Sequence, residues 1–168
     1  MLSSITLRGE RTAAACPMQC LSCNQGTMRP SMVEIRREVG ERVFVASVDG
    51  RKCTECGVAS FKGTDLARFE GAVAAALAAS GEASGEAFRW MRKALDLRAI
   101  DVATLLGVTP ETISRWETGR VPIDRGALAL LALMVLDHDR GSAATMDALR
   151  ARAAAKPLGK TVKIKLAP

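Results

Sequence analysis

Apolar positions change period along this chain, and the changes mark its elements. Between Gly40-Glu41 and Asp49-Gly50, Val43, Val45 and Ser47 alternate with Phe44, Ala46 and Val48. A β-branched run between two turn signals predicts a strand or hairpin. From Leu66 the spacing becomes helical: Leu66, Phe69, Val73 and Leu77 fall on one stripe, with Thr64 or Asp65 able to cap a helix running to about Ala79. Ser80–Gly85, rich in Ser, Gly and Glu, reads as a linker. Helical spacing then resumes to about Ala155. Beyond it, Val162, Ile164 and Leu166 alternate between lysines like a short strand. No apolar run is long enough to cross a bilayer.

The expected architecture is therefore α+β in the N-terminal part, with a β hairpin or sheet, followed by an all-α C-terminal domain. The expected boundaries are a disordered leader over 1–17, a cysteine-bearing domain over 18–79, a linker over 80–86, a helical domain over 87–140, and a helical extension with a basic tail over 141–168. Met18 opens the first structured segment and is a candidate biological start. A chain of 168 residues can bury one ordinary core, or two small ones if a metal supports the smaller.

Net charge is +6, but its distribution matters more. Residues 1–84 carry ten Lys/Arg against nine Asp/Glu, and residues 85–140 carry eight of each. Residues 141–168 carry Arg150, Arg152, Lys156, Lys160, Lys163 and Lys165 against Asp147 alone. The excess thus sits in the tail, which reads as a flexible arm toward DNA phosphates or an acidic protein surface. Bulk charge does not locate a binding module; motifs must.

The first motif is a doubled Cys-x-x-Cys. Cys20 and Cys23 form one pair, Cys53 and Cys56 the other, with 29 residues between them. Each pair can present two thiolates from a tight turn to one ion at about 2.3 Å, and two such turns complete a closed tetrahedral zinc site. Asn24 and Gly57 tolerate the left-handed backbone such knuckles use, and a hairpin between the pairs would bring them together. Two unrelated thiol pairs, a redox dithiol or disulfides are the alternatives. A redox pair usually stands once, at a helix start in a βαβ context. Four cysteines leave no open metal position, so the expected role of Zn2+ is structural. Cys16 reads as a free thiol. Reduced, paired cysteines and the absence of a signal-type leader point to the cytoplasm.

The second motif runs from Trp90 to Pro122. Trp90, Met91, Ala94 and Leu95 form an apolar stripe, and a short helix follows over Asp101–Leu106 with Ile100, Val102, Ala103 and Leu106 as buried candidates. Gly107-Val108-Thr109 turns the chain. Thr109 caps the next helix with Pro110 at its first position. Ile113 and Trp116 face inward, leaving Glu111, Thr112, Ser114, Arg115 and Thr118 outward. Gly119 ends the helix, Arg120 follows, and Val121-Pro122 lead to a long apolar helix over about Asp124–Leu136 that closes the core. Small polar residues around one arginine suit a helix entering the major groove, where Arg115 can donate twice to guanine O6 and N7. The bland alternative is a helical hairpin whose outward residues are merely solvated. Glu117 is expected to pair with an arginine such as Arg92, His138 to be a solvated helix end, and the methionines to fill the core. No Ser/His/Asp or Cys/His constellation, phosphate loop or paired carboxylate site appears, so an enzyme is not expected.

Together the two motifs resemble the MqsA-type (YgiT) antitoxins over Met18 to about Asp137. The carriers are Cys20-Leu-Ser-Cys23, Cys53-Thr-Glu-Cys56-Gly57, the helix from Thr64, and Ile113-Ser-Arg-Trp-Glu-Thr-Gly119. The resemblance implies an N-terminal zinc domain that binds a protein toxin and a C-terminal Xre-like helix-turn-helix. It also implies a homodimer that represses its own operon at a palindromic double-stranded DNA operator. The implied DNA-binding set is Arg98, Thr109, Glu111, Thr112, Ser114, Arg115, Thr118 and Arg120. Three positions depart from the pattern. Arg98 stands where a Ser or Thr cap is usual, Ala99 where a Gln is common, and Glu111 where the best-known members have Asn. A stand-alone Xre-like regulator whose zinc domain only stabilises the fold is the alternative, and an adaptor without a DNA role is a third.

Overall fold

A computed structural model describes residues 18–156. The leader, with Cys16, and the lysine-rich tail lie outside the described residues. Four strands, β1 (Met18–Gln19), β2 (Thr27–Val39), β3 (Arg42–Cys53) and β4 (Ala59–Phe61), precede six helices. These are α1 (Gly63–Ser80), α2 (Gly85–Ala94), α3 (Ala99–Leu106), α4 (Pro110–Glu117), α5 (Arg125–Asp139) and α6 (Ala144–Ala154). The α+β fold class expected from the sequence is the observed one.

The strands form one antiparallel sheet in chain order. β1 pairs Met18 with Met28 and Gln19 with Thr27, and β3 pairs Gly50, Arg51 and Lys52 with Phe61, Ser60 and Ala59. The expected strand over 43–48 is the middle of a much longer hairpin. Gly40-Glu41 is its turn, whereas Asp49 and Gly50, read as a flanking turn, lie inside β3. β2 was not expected, although Val33, Ile35 and Val39 are buried and Glu34, Arg36 and Glu38 exposed. Half-buried strands alternate in this way because successive side chains point to opposite faces.

The described chain divides into two compact units. One holds the described residues up to Glu34 together with Ser47–Lys62; the other holds the hairpin tip Ile35–Ala46 and the chain from Gly63. The boundaries expected at 79 and 80–86 therefore differ from those observed. α1 packs on α5 and α2, burying Phe69, Val73, Ala74 and Leu77, and so belongs to the helical unit. Three polar contacts join the hairpin tip to the same unit: Arg37 to Glu70 at 3.3 Å, Arg42 to Glu82 at 2.8 Å, and the Gly40 N–H to Glu86 at 2.5 Å.

The linker is also shorter than its composition suggested. Ser84 is the N-cap of α2, its hydroxyl accepting from the Ala87 N–H at 3.2 Å, and Gly85 and Glu86 form the first helical turn. Gly85 is required by a close approach: a β-carbon there would collide with the backbone carbonyls of Trp116 and Glu117. Backbone cannot yield as a side-chain tip can. Gly85→Ala is therefore expected to destabilise the helical unit by about 1–3 kcal/mol in a denaturant titration followed by helical signal. An unchanged midpoint would mean that the start of α2 shifts freely.

Around this contact the core consists of Ala87, Phe88, Met91, Val102, Ala103, Ile113, Trp116, Leu131 and Met134, all buried. Phe88 and Trp116 meet edge to face at 5.7 Å. The predicted stripe on α2 was thus rotated: Phe88 and Ala87 are buried, while Trp90 is half-buried and its indole N–H donates to the Glu70 carbonyl at 3.3 Å. Ile100, a predicted core residue, is 52% exposed. α6 packs on α5 and α3, with its first turn held by Asp137, which accepts from the Thr145 hydroxyl at 2.6 Å and N–H at 3.0 Å. Among the described residues, no helix is long and apolar enough to cross a membrane.

Candidate functional site

Two knuckles of similar construction bring the cysteines together. In the first, the Cys20 N–H donates to the Gly26 carbonyl at 2.9 Å, the Asn24 N–H to the Cys20 carbonyl at 2.9 Å, and the Gly26 N–H to Cys23 Sγ at 3.4 Å. In the second, the Cys53 N–H donates to the Val58 carbonyl at 2.9 Å and the Glu55 N–H to Cys53 Sγ at 3.4 Å. Asn24 (φ 55°) and Gly57 (φ 71°) both take the left-handed backbone that their residue types suggested. The hairpin closes the 29-residue gap, and the Thr54 N–H donates to the Thr27 carbonyl at 3.1 Å.

All four Sγ atoms lie within 4.8 Å of one another. Cys20 stands 3.7 Å from Cys56, and Cys23 stands 3.7 Å from Cys53. Thiolates about 2.3 Å from one ion at tetrahedral angles are separated by about 3.8 Å, so this donor set fits a tetrahedral metal. Gly26, which the sequence reading missed, makes room for it: a side chain there would overlap Cys53 Sγ. The cluster can hold a metal ion.

The thiols are electrostatically unequal. N–H groups of Gln25 and Gly26 hold Cys23 down to about 6. Cys53 is lowered as well, chiefly by the Cys56 N–H. At Cys56 the Val58 N–H acts downward, but burial and the three neighbouring thiols outweigh it and push it up to about 12. Crowded thiols cannot all ionise unless a cation neutralises them. A bound metal would supply that charge and draw the remaining protons from the cluster as it loads.

The second candidate surface lies on α4. Gly107, at φ 70°, ends α3 in the left-handed conformation, and the chain turns through Val108 into Thr109. The Thr109 hydroxyl accepts from the Thr112 N–H at 3.2 Å, and Pro110 fills the first helical position, as its sequence position indicated. Ile113 and Trp116 are buried, whereas Glu111, Ser114, Arg115 and Thr118 are exposed and Thr112 is half-buried. Thr109 and Thr112 hydroxyls are 2.9 Å apart, and the Thr118 hydroxyl donates to the Ser114 carbonyl at 2.8 Å. Arg120, exposed, follows the helix, its N–H donating to the Arg115 carbonyl at 2.9 Å.

Arg98 occupies the N-cap of α3, where it cannot accept a hydrogen bond from its helix. Asp101 compensates: its carboxylate accepts from the Arg98 N–H at 2.9 Å and from the guanidinium at 3.0 and 2.9 Å. These bonds hold the Asp101 carboxyl below its ordinary value. The Arg-x-x-Asp spacing was a readable signal for this pairing. Glu117, expected to pair with Arg92, does so bidentately at 2.5 and 3.0 Å.

All eight residues predicted for this surface fall on α4, its flanking turns or the start of α3. Seven are on or beside α4, and Arg98 stands apart at the α3 cap. A comparison with curated proteins finds no match. A family described as the antitoxin component of the bacterial toxin-antitoxin system, MqsA, matches residues 18–140, well over half the chain. That span contains both knuckles and all of α4, and ends before α6. The chain belongs to the MqsA family, the antitoxin component of a bacterial toxin–antitoxin system.

Proposed function

We propose that this antitoxin is a sequence-specific DNA-binding repressor that acts as a homodimer in the cytoplasm and autoregulates its operon. The carrying observation is the outward face of α4. Two buried anchors, Ile113 and Trp116, fix the helix, while Arg115, Ser114, Thr118 and Thr112 project from it after a tight turn. α3, the turn and α4 read as a helix-turn-helix, with α4 as the element entering the major groove. Thr109 at the start of α4, Arg120 just beyond its end and Arg98 at the α3 cap suit phosphate contacts that position the helix. Exposed Ile100, Val121 and Leu133 offer apolar surface for pairing two copies.

The ion at Cys20, Cys23, Cys53 and Cys56 is read as zinc, serving structure. Four thiolates leave no position for a reactive water, and the role is that of a binding protein without catalysis. The unit carrying them is the surface read as taking a protein toxin.

The test is co-expression with the adjacent open reading frame, followed by light scattering and a shift assay on the operon's promoter fragment. A stable complex that also shifts the fragment is expected. An uncomplexed chain that shifts no fragment would overturn the reading. Arg115→Ala is expected to weaken specific binding by about 1–3 kcal/mol while leaving the fold intact, because the side chain is exposed. Unchanged affinity for a selected operator would remove Arg115 from base reading.

A further inference from the structure

One ion pair lies on the outward face of α4. Arg115 Nη2 donates to Glu111 Oε1 at 2.6 Å, one helical turn apart, with side chains 55% and 72% exposed. An exposed pair of this kind contributes little to stability. A carboxylate on a face that must approach phosphates opposes binding, so neither stability nor bulk attraction to DNA accounts for it.

The chemistry of a base pair does. In the major groove guanine presents two acceptors, O6 and N7, and cytosine presents one donor, its N4 amino group. The contact uses one guanidinium nitrogen, leaving the rest of the fork free. Among the described residues Glu111 Oε2 has no hydrogen-bond partner, so the carboxylate retains an acceptor. Arg115 and Glu111 thus offer the donors and the acceptor that G·C base pairs complement, and each restrains the other's rotamers before DNA arrives.

We infer that Glu111 and Arg115 act as one reading unit for a G·C-containing step of the operator, and that Glu111 determines its specificity. Arg115 donates to guanine and Glu111 accepts from a cytosine amino group. At guanine or thymine Glu111 meets acceptors or a methyl group, and at adenine an amino donor flanked by the N7 acceptor, so its repulsion toward phosphates is least offset away from cytosine. It therefore discriminates chiefly by penalising wrong sites. The inference rests on the DNA-binding reading of α4.

Selection from a randomised duplex pool tests it, using the full zinc-loaded chain and E111Q at one fixed salt concentration. Affinities for the selected duplex and for a scrambled one are then measured for each protein. Glutamine keeps the shape, removes the charge and prefers adenine. The wild-type chain is expected to enrich cytosine at one position of each half-site. E111Q is expected to lose that preference and to bind scrambled DNA several-fold more tightly. Its selected-to-scrambled ratio should fall by about tenfold, the effect of one base contact. R115K, which keeps charge but not the planar fork, is expected to lose the guanine preference as well. An E111Q chain that enriches the same sequence with an undiminished ratio overturns the inference. So does equal weakening on both duplexes, which marks a structural role. A wild-type chain that enriches nothing overturns the DNA reading and this inference with it.

Discussion

Cys53→Ser is expected to empty the cysteine cluster and unfold the unit that holds it, while the helical unit stays folded. The buried residues around the cluster are Cys20, Met28 and Cys53, with Cys23 packed against them, so three of the four are themselves metal donors. Met18, Leu21, Val58 and Phe61 in the same unit are exposed. So little apolar burial cannot offset the conformational entropy of ordering the segment. Metal binding must supply the difference, and structural zinc typically contributes about 10–16 kcal/mol near neutral pH. Serine offers no thiolate, and its hydroxyl would be stranded where Cys53 is now 5% exposed. The measurement is metal content by mass spectrometry together with amide exchange. Protection should vanish in the described part of 18–34 and in 47–62 but persist in α1, α2 and α5. A chain that loses its metal and keeps exchange protection around the knuckles would show that the sheet needs no ion. Retention of a selected operator by the variant is expected if α4 alone reads DNA.

The chemistry-bearing residues were the most legible part of this sequence because their signals are local. Cys-x-x-Cys, Thr109-Pro110 and Asn24 or Gly57 after a knuckle each specify a short backbone geometry by themselves. So did the pairing of Glu117 with Arg92, inferred from one acid before a helix-ending glycine. The illegible parts depend on what packs where. β2 is hard to read because Arg37 takes the inward position between Ile35 and Val39 and interrupts the apolar alternation that Val33, Ile35 and Val39 keep. Phe88 and Trp90 cannot be told apart by sequence because both are aromatic and two residues apart. Only the approach of α4 decides which faces the core, and Trp116 takes Phe88. The partners of α1 are illegible for a similar reason. Its apolar stripe shows that it packs, but not that α5 and α2 are its partners. Gly85 looked like linker composition, yet its lack of a side chain is what admits the end of α4.

Glu117→Ala is expected to cost the helical unit about 3 kcal/mol, the next largest effect. Glu117 and Arg92 side chains are each only 11% exposed. Arg92 Nε and Nη2 donate to the two carboxylate oxygens at 2.5 and 3.0 Å, while Nη1 donates to the Leu97 carbonyl at 2.7 Å. One guanidinium thereby joins α2, the turn into α3 and the last turn of α4. Arg89, with its Nε 4.0 Å from Glu117, is 59% exposed and adds little. Removing the carboxylate leaves a poorly hydrated cation with one carbonyl partner, and such a group costs far more than the intact pair contributes. The same asymmetry predicts that R92M combined with E117L recovers most of the loss, since both charges then leave together. Urea titrations of R92M, E117L and the double variant, with Glu117→Ala alongside, measure this directly. Single variants within about 0.5 kcal/mol of wild type would mean that water already solvates the pair. A double variant no more stable than either single one would mean that the bidentate geometry itself positions α4.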